Sequence, residues 1–207
     1  MPRRLPLVVA AVAALVAVCS GCGGGSGSGA GTNGPSGATA TPATQGGLGA
    51  LQAEATAVAS GDIPDNQVFL TFQDATGGFS IKYPEGWAQS GSGKRVTLRD
   101  KNNIVRIVIG SGVAPTAGGV KADMAALKGA TPTAAAQQLT ISGKPAFKVT
   151  YSTVSAPNPV TGKRVTLAVD RYYLWQGGRT AVVDLGTPVG VDNVDAYRMM
   201  IESFRWR

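Results

Sequence analysis

The sequence predicts an α+β fold, an antiparallel β-sheet with helices packed on it, and three observations carry that. Apolar residues alternate with polar ones in short runs at 68–72, 79–83, 104–109, 145–154 and 164–176, the period of a strand with a buried face. Polar or glycine-rich breaks at 100–103, 142–144 and 177–178 separate consecutive runs, the spacing of hairpins. Two stretches, 120–128 and 192–204, switch to helical spacing instead.

The sheet is organised around 77–87, GGFSIKYPEGW. Phe79, Ile81 and Tyr83 alternate with Ser80 and Lys82, and Pro84 ends the strand because it has no N–H to donate. Gly86 permits a sharp reversal, and Trp87 folds back over the strand end to close the core there. A first strand precedes it, with Val68, Leu70 and Phe72 facing inward, and 74–78 forms the turn. Val96 and Leu98 begin a third strand, which Asp100-Lys101-Asn102-Asn103 reverses into 104–109.

Val120, Met124 and Leu127 then share one face of a helix over 120–128. A second hairpin joins 136–141 to 145–154, and 164–176, the longest strand, pairs with 179–185 across Gly177-Gly178. Tyr173 and Trp175 fall on one face of that strand and Tyr172 and Leu174 on the other, so both faces of the sheet are covered. Asp192 is placed as the N-cap of a final helix, with Asp195 three residues on. Val194, Tyr197, Ile201 and Phe204 line its inner face, and the chain ends on it.

Residues 1–64 carry a different kind of information. Arg3 and Arg4, an apolar run over 5–18 that includes Pro6, and Cys19-Ser20-Gly21-Cys22 make the three-part layout of a secretory signal, with a run short for a permanent span. Small residues ending in a cysteine before a glycine run resemble the bacterial lipobox, in which cleavage precedes a cysteine bearing a diacylglycerol thioether. Ser20 and Gly21 assign that role to Cys22, although Cys19 stands where the motif usually has Leu. An ordinary cleaved signal and a retained N-terminal anchor are the competing readings.

The expected organisation is a signal peptide at 1–21, a Gly/Ser/Thr/Pro-rich flexible tether at 22–48, a short helix and linker at 49–64, and a globular domain at 65–207. The tether's root-mean-square reach is about 25–30 Å. The linker helix places Leu51, Ala55 and Val58 on one face. With Cys22 lipidated the domain has no thiol and must hold together by packing.

The 207-residue chain carries a net charge of +7, and removal of Arg3 and Arg4 leaves 17 basic against 12 acidic side chains, a net +5. The basic residues are scattered, which reads as a solvated surface, with contact to anionic headgroups as the alternative and no nucleic-acid role. Histidine is absent. That removes an imidazole base, Ser-His-Asp and Cys-His sites, and His-containing zinc sites.

Gly91-Ser92-Gly93-Lys94 has part of a phosphate-loop pattern, but Ala88 and Arg95 occupy positions that pattern reserves for Gly and Ser/Thr, so it reads as a turn leading into a strand. Asp170 and Asp184 lie on neighbouring strands and come within reach of each other, as a carboxylate hydrolase or cation site requires. Asp192 and Asp195 are explained by a helix start. Trp87, Tyr172, Tyr173, Trp175 and Trp206 read as core aromatics, and Arg205-Trp206-Arg207 as a frayed, solvated end.

The order of elements, from Phe79-Ser80-Ile81-Lys82-Tyr83-Pro84-Glu85-Gly86-Trp87 to Ile201-Glu202-Ser203-Phe204, resembles the PsbP-like family, named after an extrinsic subunit of photosystem II. The resemblance covers roughly two-thirds of the chain. It implies an α/β/α sandwich around an antiparallel sheet, here in a bacterial lipoprotein of actinobacterial type. Photosynthetic members bind within a membrane complex through an N-terminal extension and basic surface residues, and some bind divalent cations. Residues 22–48 match nothing in that extension and histidine is missing, so photosystem binding and calcium or manganese binding do not carry over.

The expectation is a monomeric lipoprotein held by Cys22 on the outer face of the cell membrane. It binds or scaffolds an envelope protein without catalysis, metal or cofactor. A small-molecule or ion-binding accessory of a transporter and a carboxylate-dependent hydrolase are the alternatives.

Overall fold

Phe79, Ile81 and Tyr83 are buried and Lys82 is exposed, as their alternation predicts, but Ser80, expected on the outward face with Lys82, is buried too. The computed structural model describes residues 52, 56, 60–158 and 161–207. The expected signal peptide, Cys22 and the expected tether at 22–48 lie outside the described residues. Gln52, Thr56 and Ser60 are helical, within the short helix expected at 49–64, and the Thr56 hydroxyl donates to the Gln52 carbonyl at 2.8 Å.

The elements run β1 Phe69–Asp74, β2 Phe79–Pro84, β3 Ala88–Ser92, β4 Arg95–Asp100, β5 Asn103–Ser111, α1 Ala117–Ala126, β6 Ala130–Pro132, β7 Gln137–Ile141, β8 Lys144–Val154, β9 Thr166–Gln176, β10 Arg179–Pro188, α2 Val194–Glu202 and β11 Arg205–Trp206. Strands β1, β2 and β11 form a small sheet with β2 in the middle. The others form a large sheet in the order β3-β4-β5-β10-β9-β8-β6, with β7 also pairing β8. Every pairing is antiparallel.

The expected hairpins at 100–103, 142–144 and 177–178 join β4 to β5, β7 to β8 and β9 to β10. Gly91-Ser92-Gly93-Lys94 is the end of β3 and the turn into β4, the plain reading of that motif. Gly93 at φ +63° is held there by its N–H, which donates to the buried Asp74 carboxylate at 2.7 Å.

One face of the large sheet meets the small sheet and α2. Val96, Leu98, Val105, Ile107, Tyr172, Leu174, Val183 and Leu185 pack there with Phe79, Ile81, Tyr83, Trp87, Tyr197, Met200 and Ile201. Trp87 is inside this core, where a ring following Pro84 and Gly86 was expected. The other face carries Ile104, Val149, Tyr151, Leu167, Val169 and Tyr173, against which α1 lays Val120 and Met124. The fold is therefore α+β, mostly antiparallel and dominated by its sheets. What covers the first face is largely another sheet, because β1 and β2 supply apolar residues that the sequence pattern assigned to no particular layer.

Four expectations are corrected. Val68 and Leu70 are exposed rather than inward, because β1 is an edge strand, and Phe69 and Phe72 make its core contacts. The N-cap of α2 is Asn193, not Asp192; Asp192 lies one residue earlier and accepts from the Val194 N–H at 3.2 Å. Val194 faces solvent. The chain ends on β11 rather than on the helix, and the last residues are not frayed: Arg207 N–H donates to the Gly78 carbonyl at 2.8 Å, and Trp206 stands edge-on to Phe204 at 5.2 Å.

Asn193 is buried because its side chain works away from its own helix. Its Oδ1 accepts from the Ile63 N–H at 2.8 Å and its Nδ2 donates to Thr187 Oγ1 at 2.9 Å. This fastens the entry segment to the end of β10. At the other end of α2, Ser142 Oγ and Arg205 Nη1 donate to the Glu202 carbonyl at 2.8 and 2.7 Å, satisfying a helix-end acceptor.

Phe79 has no exposed surface and touches the rings of Phe72 and Phe204 at 6.0 and 5.7 Å. Phe79→Ala removes a ring that joins β1, β2 and the C-terminal segment, and is expected to lower stability by about 3–5 kcal/mol in urea unfolding. A loss under about 1 kcal/mol would show that this junction does not hold the layers together.

Candidate functional site

Strand alternation and register place a polar system on the α1 side of the large sheet. Asp184 in β10 lies opposite Arg171 in β9 and, on its other side, opposite Arg106 in β5. The Arg171 guanidinium grips Asp184 with two bonds, Nε to Oδ1 at 2.7 Å and Nη2 to Oδ2 at 3.1 Å. Its Nη1 donates to Asp123 Oδ2 of α1 at 2.9 Å, and Tyr173 Oη donates to the same oxygen at 2.6 Å. The guanidinium also lies over the rings of Tyr151 and Tyr173, at 5.7 and 5.9 Å.

Burial opposes charge on Arg171, but the hydrogen bonds and charge of Asp184 outweigh it and raise its pKa further above the usual range. Burial, followed by the Asp184 charge, pushes Tyr151 up to about 12. Burial and the hydrogen bond to Asp123 push Tyr173 up as well. Arg171 and the two tyrosines therefore keep their protons at neutral pH, and the cluster ties α1 to the sheet.

This geometry removes the paired-carboxylate reading. Asp170 lies opposite Leu185 and Asp184 opposite Arg171, so the two carboxylates sit on opposite faces of the sheet. Asp170 is engaged on its own face by Lys148 Nζ and Thr150 Oγ1, both at 2.8 Å. Burial alone lowers the Lys148 pKa, yet the hydrogen bond and charge of Asp170 carry it above its ordinary value.

Beyond α1 the described residues leave the same face uncovered. No β3 or β4 side chain belongs to the apolar cluster under the helix, and all of β3 is exposed. Val96 and Leu98 point into the core, so Arg95, Thr97 and Arg99 point out. The register sets Arg106 opposite Thr97, between the two β4 arginines, and Ser92 and Ser90 opposite Arg95 and Thr97. Arg95 and Arg99 stand roughly 13 Å apart along the strand. Among the described residues Arg95, Arg99 and Arg106 have no ion-pair partner, and Arg99 Nε is shielded from water with no acceptor. Sequence reading took these cations as scattered; the signal was the Arg-Val-Thr-Leu-Arg alternation of β4 combined with the turn that fixes its pairing with β5.

A separate groove of about 340 Å³ runs past the other end of this face, lined by Ala114, Pro115, Gln138, Phe147, Trp175 and Gln176 among others. Trp175 Nε1 donates to the Gly112 carbonyl at 3.0 Å, which fixes the indole orientation. Trp175 is half-buried rather than core, and Trp206 is half-buried beneath the Arg179 guanidinium at 4.4 Å. Among the described residues no helix is long and apolar enough to cross a membrane.

No protein-family model matches the sequence, and no characterised protein matches it by sequence. Among solved structures the chain is similar to cyanobacterial PsbP from Synechocystis sp. PCC 6803, at 16% identity and a TM-score of 0.50, over 71% of this chain and 98% of that one. It also matches a protein from Bacteroides thetaiotaomicron at 14% identity and a TM-score of 0.44, over 66% of this chain and 48% of that one. A third match is the Saccharomyces cerevisiae Ran-binding protein Mog1p, at 13% identity and a TM-score of 0.41, over 68% and 96%. The first likeness shows a PsbP-like fold.

Two outcomes are expected from the buried cluster. Arg171→Met leaves Asp184 buried without a counter-charge and should cost about 3–5 kcal/mol, whereas Arg171→Met with Asp184→Leu should recover most of that loss in urea unfolding. Because Tyr151 keeps its proton in the folded state up to about pH 12 while an unfolded tyrosine loses it near 10.0, the contribution of Tyr151 to folding stability should be fully present below pH 10 and be lost from there to pH 12. Tyrosinate absorbance titrated on folded and urea-unfolded chain checks this, and coincident curves would refute it.

Proposed function

We propose that the chain is an extracytoplasmic lipoprotein, anchored to the membrane through Cys22, whose PsbP-like domain serves as a non-catalytic binding or scaffolding module for another envelope component. The observation that supports this most directly is the uncovered face of β3, β4 and β5. It carries an exposed Arg95 and half-buried Arg99 and Arg106, none with an ion-pair partner among the described residues, next to a side-chain network that is fully engaged. Such a face is suited to recognition of an anionic surface, since guanidinium groups pair readily with carboxylates and phosphates. The α/β/α arrangement of the PsbP-like family belongs to this reading, with α1 on one side of the large sheet and α2 on the other.

The expected outcome for the anchor is that Cys22→Ala moves the protein from the membrane fraction to the soluble extracytoplasmic fraction, and mass spectrometry of the mature N-terminus finds the thioether lipid only on the natural chain. An unmodified natural N-terminus would refute the anchor. For the module, Arg95→Gln/Arg99→Gln/Arg106→Gln should reduce recovery of envelope material, as membrane fragments or as detergent-solubilised protein, by about tenfold or more relative to the natural lipidated chain.

A second reading, a small-molecule-binding accessory, is favoured by the groove beside Phe147 and Trp175. Its volume suits a ligand, but it is open along the surface where a dedicated small-molecule site is usually enclosed.

A further inference from the structure

The arginine face has four properties that together select one kind of partner. Its cations are spread, with Arg95 and Arg99 roughly 13 Å apart and Arg106 between them on the next strand, too wide for one phosphate or carboxylate to meet both ends. Residues 88–111 contain no aromatic side chain, so the face lacks the large rings that anchor most protein–protein interfaces. Its other side chains are the hydroxyls of Ser90, Ser92 and Thr97, which donate to phosphate oxygens, and Val108, 39% exposed opposite Arg95. The single acid in this stretch, Asp100, falls on the opposite side of β4 by alternation, and Asp184 is held by Arg171.

Val113, 84% exposed, lies just past the end of β5. Lys94 adds a further cation at the β3–β4 turn.

Resting on the binding-module reading above, we infer that the envelope component met by this face is the anionic headgroup layer of a lipid bilayer, with β3, β4 and β5 lying against it and Arg95, Arg99 and Arg106 each facing a different phosphate. A distributed set of guanidinium groups without an anchor ring matches a continuous anionic surface better than a compact ligand or a shaped protein epitope. The side chain of Arg95 is exposed and those of Arg99 and Arg106 are half-buried, so Arg95 makes the outermost contact. Anchoring at Cys22, as proposed above, keeps the face at high effective concentration over the bilayer, so weak individual contacts suffice.

The test uses the full lipidated chain reconstituted in vesicles of phosphatidylcholine alone and in vesicles containing phosphatidylglycerol, with amide hydrogen exchange read across 88–111. The expected result is slower exchange in β3 and the β3–β4 turn on the anionic vesicles, lost when salt is raised. Arg95→Gln/Arg99→Gln/Arg106→Gln should lower the docked-to-free ratio on the order of 100-fold. Arg95→Gln alone, at an exposed position, should lower it about fivefold and serves if the triple variant melts early.

Equal exchange on both vesicle types overturns bilayer docking. If the arginine-dependent recovery of a protein partner persists in that case, the binding-module reading stands and its partner is an acidic protein. If that recovery is also absent, both readings fall and the face is merely solvated.

Discussion

Phe79 is the point on which the layers of this molecule depend. Its ring stacks on Phe204 at 11° between planes and 5.7 Å between centroids, leans on Phe72, and through Phe204 reaches Trp206, which lies under the Arg179 guanidinium. Those contacts come from β1, the segment after α2, β11 and the start of β10. One buried side chain therefore couples the N-terminal hairpin, the C-terminal strand and the large sheet. Each ring contact beyond simple area burial is worth only about 0.5–1.5 kcal/mol, so what makes the junction decisive is that unrelated parts of the chain meet at it. Asn193 plays the matching polar part at the opposite end of the layer, tying Ile63 to Thr187.

The large sheet has two unlike faces because its covering is unequal. The small sheet and α2 close one face, whereas α1, with two buried residues, covers only part of the other. A sheet face left open must be made polar, and β3, β4 and β5 do this with arginine, serine and threonine rather than with paired charges. The Arg171 cluster marks the border. On its inner side a guanidinium spends its bonds on two aspartates of the same fold; on its outer side Arg95, Arg99 and Arg106 have no ion-pair partner among the described residues.

Where a strand buries one face and ends in polar or glycine turns, the pattern was legible, as in β2, β5, β8, β9 and β10. Helix α1 was legible from Val120 and Met124 alone. Strand β3 was not, because Ala88-Gln89-Ser90-Gly91-Ser92 buries nothing and carries no alternation to read. Strand β11 escaped for a different reason. Helical spacing runs through Phe204 without a break, and only pairing with Ser80 and Phe79 makes the last residues a strand. Asp170 and Asp184 were correctly set on adjacent strands, but an offset of one residue in the register put them on opposite sides. The arginine face was hidden because Arg95 and Arg106 are eleven residues apart in sequence and become neighbours only through that pairing.

Placing Phe204 and β11 in the core has a consequence for how the chain is made. The central strand of the small sheet is synthesised near residue 80 but lacks its second neighbour until Arg205 and Trp206 arrive, so closure of the principal core waits for them. A chain passed through a narrow conduit from its N-terminus would keep this core open until β11 emerged and Arg207 N–H reached the Gly78 carbonyl.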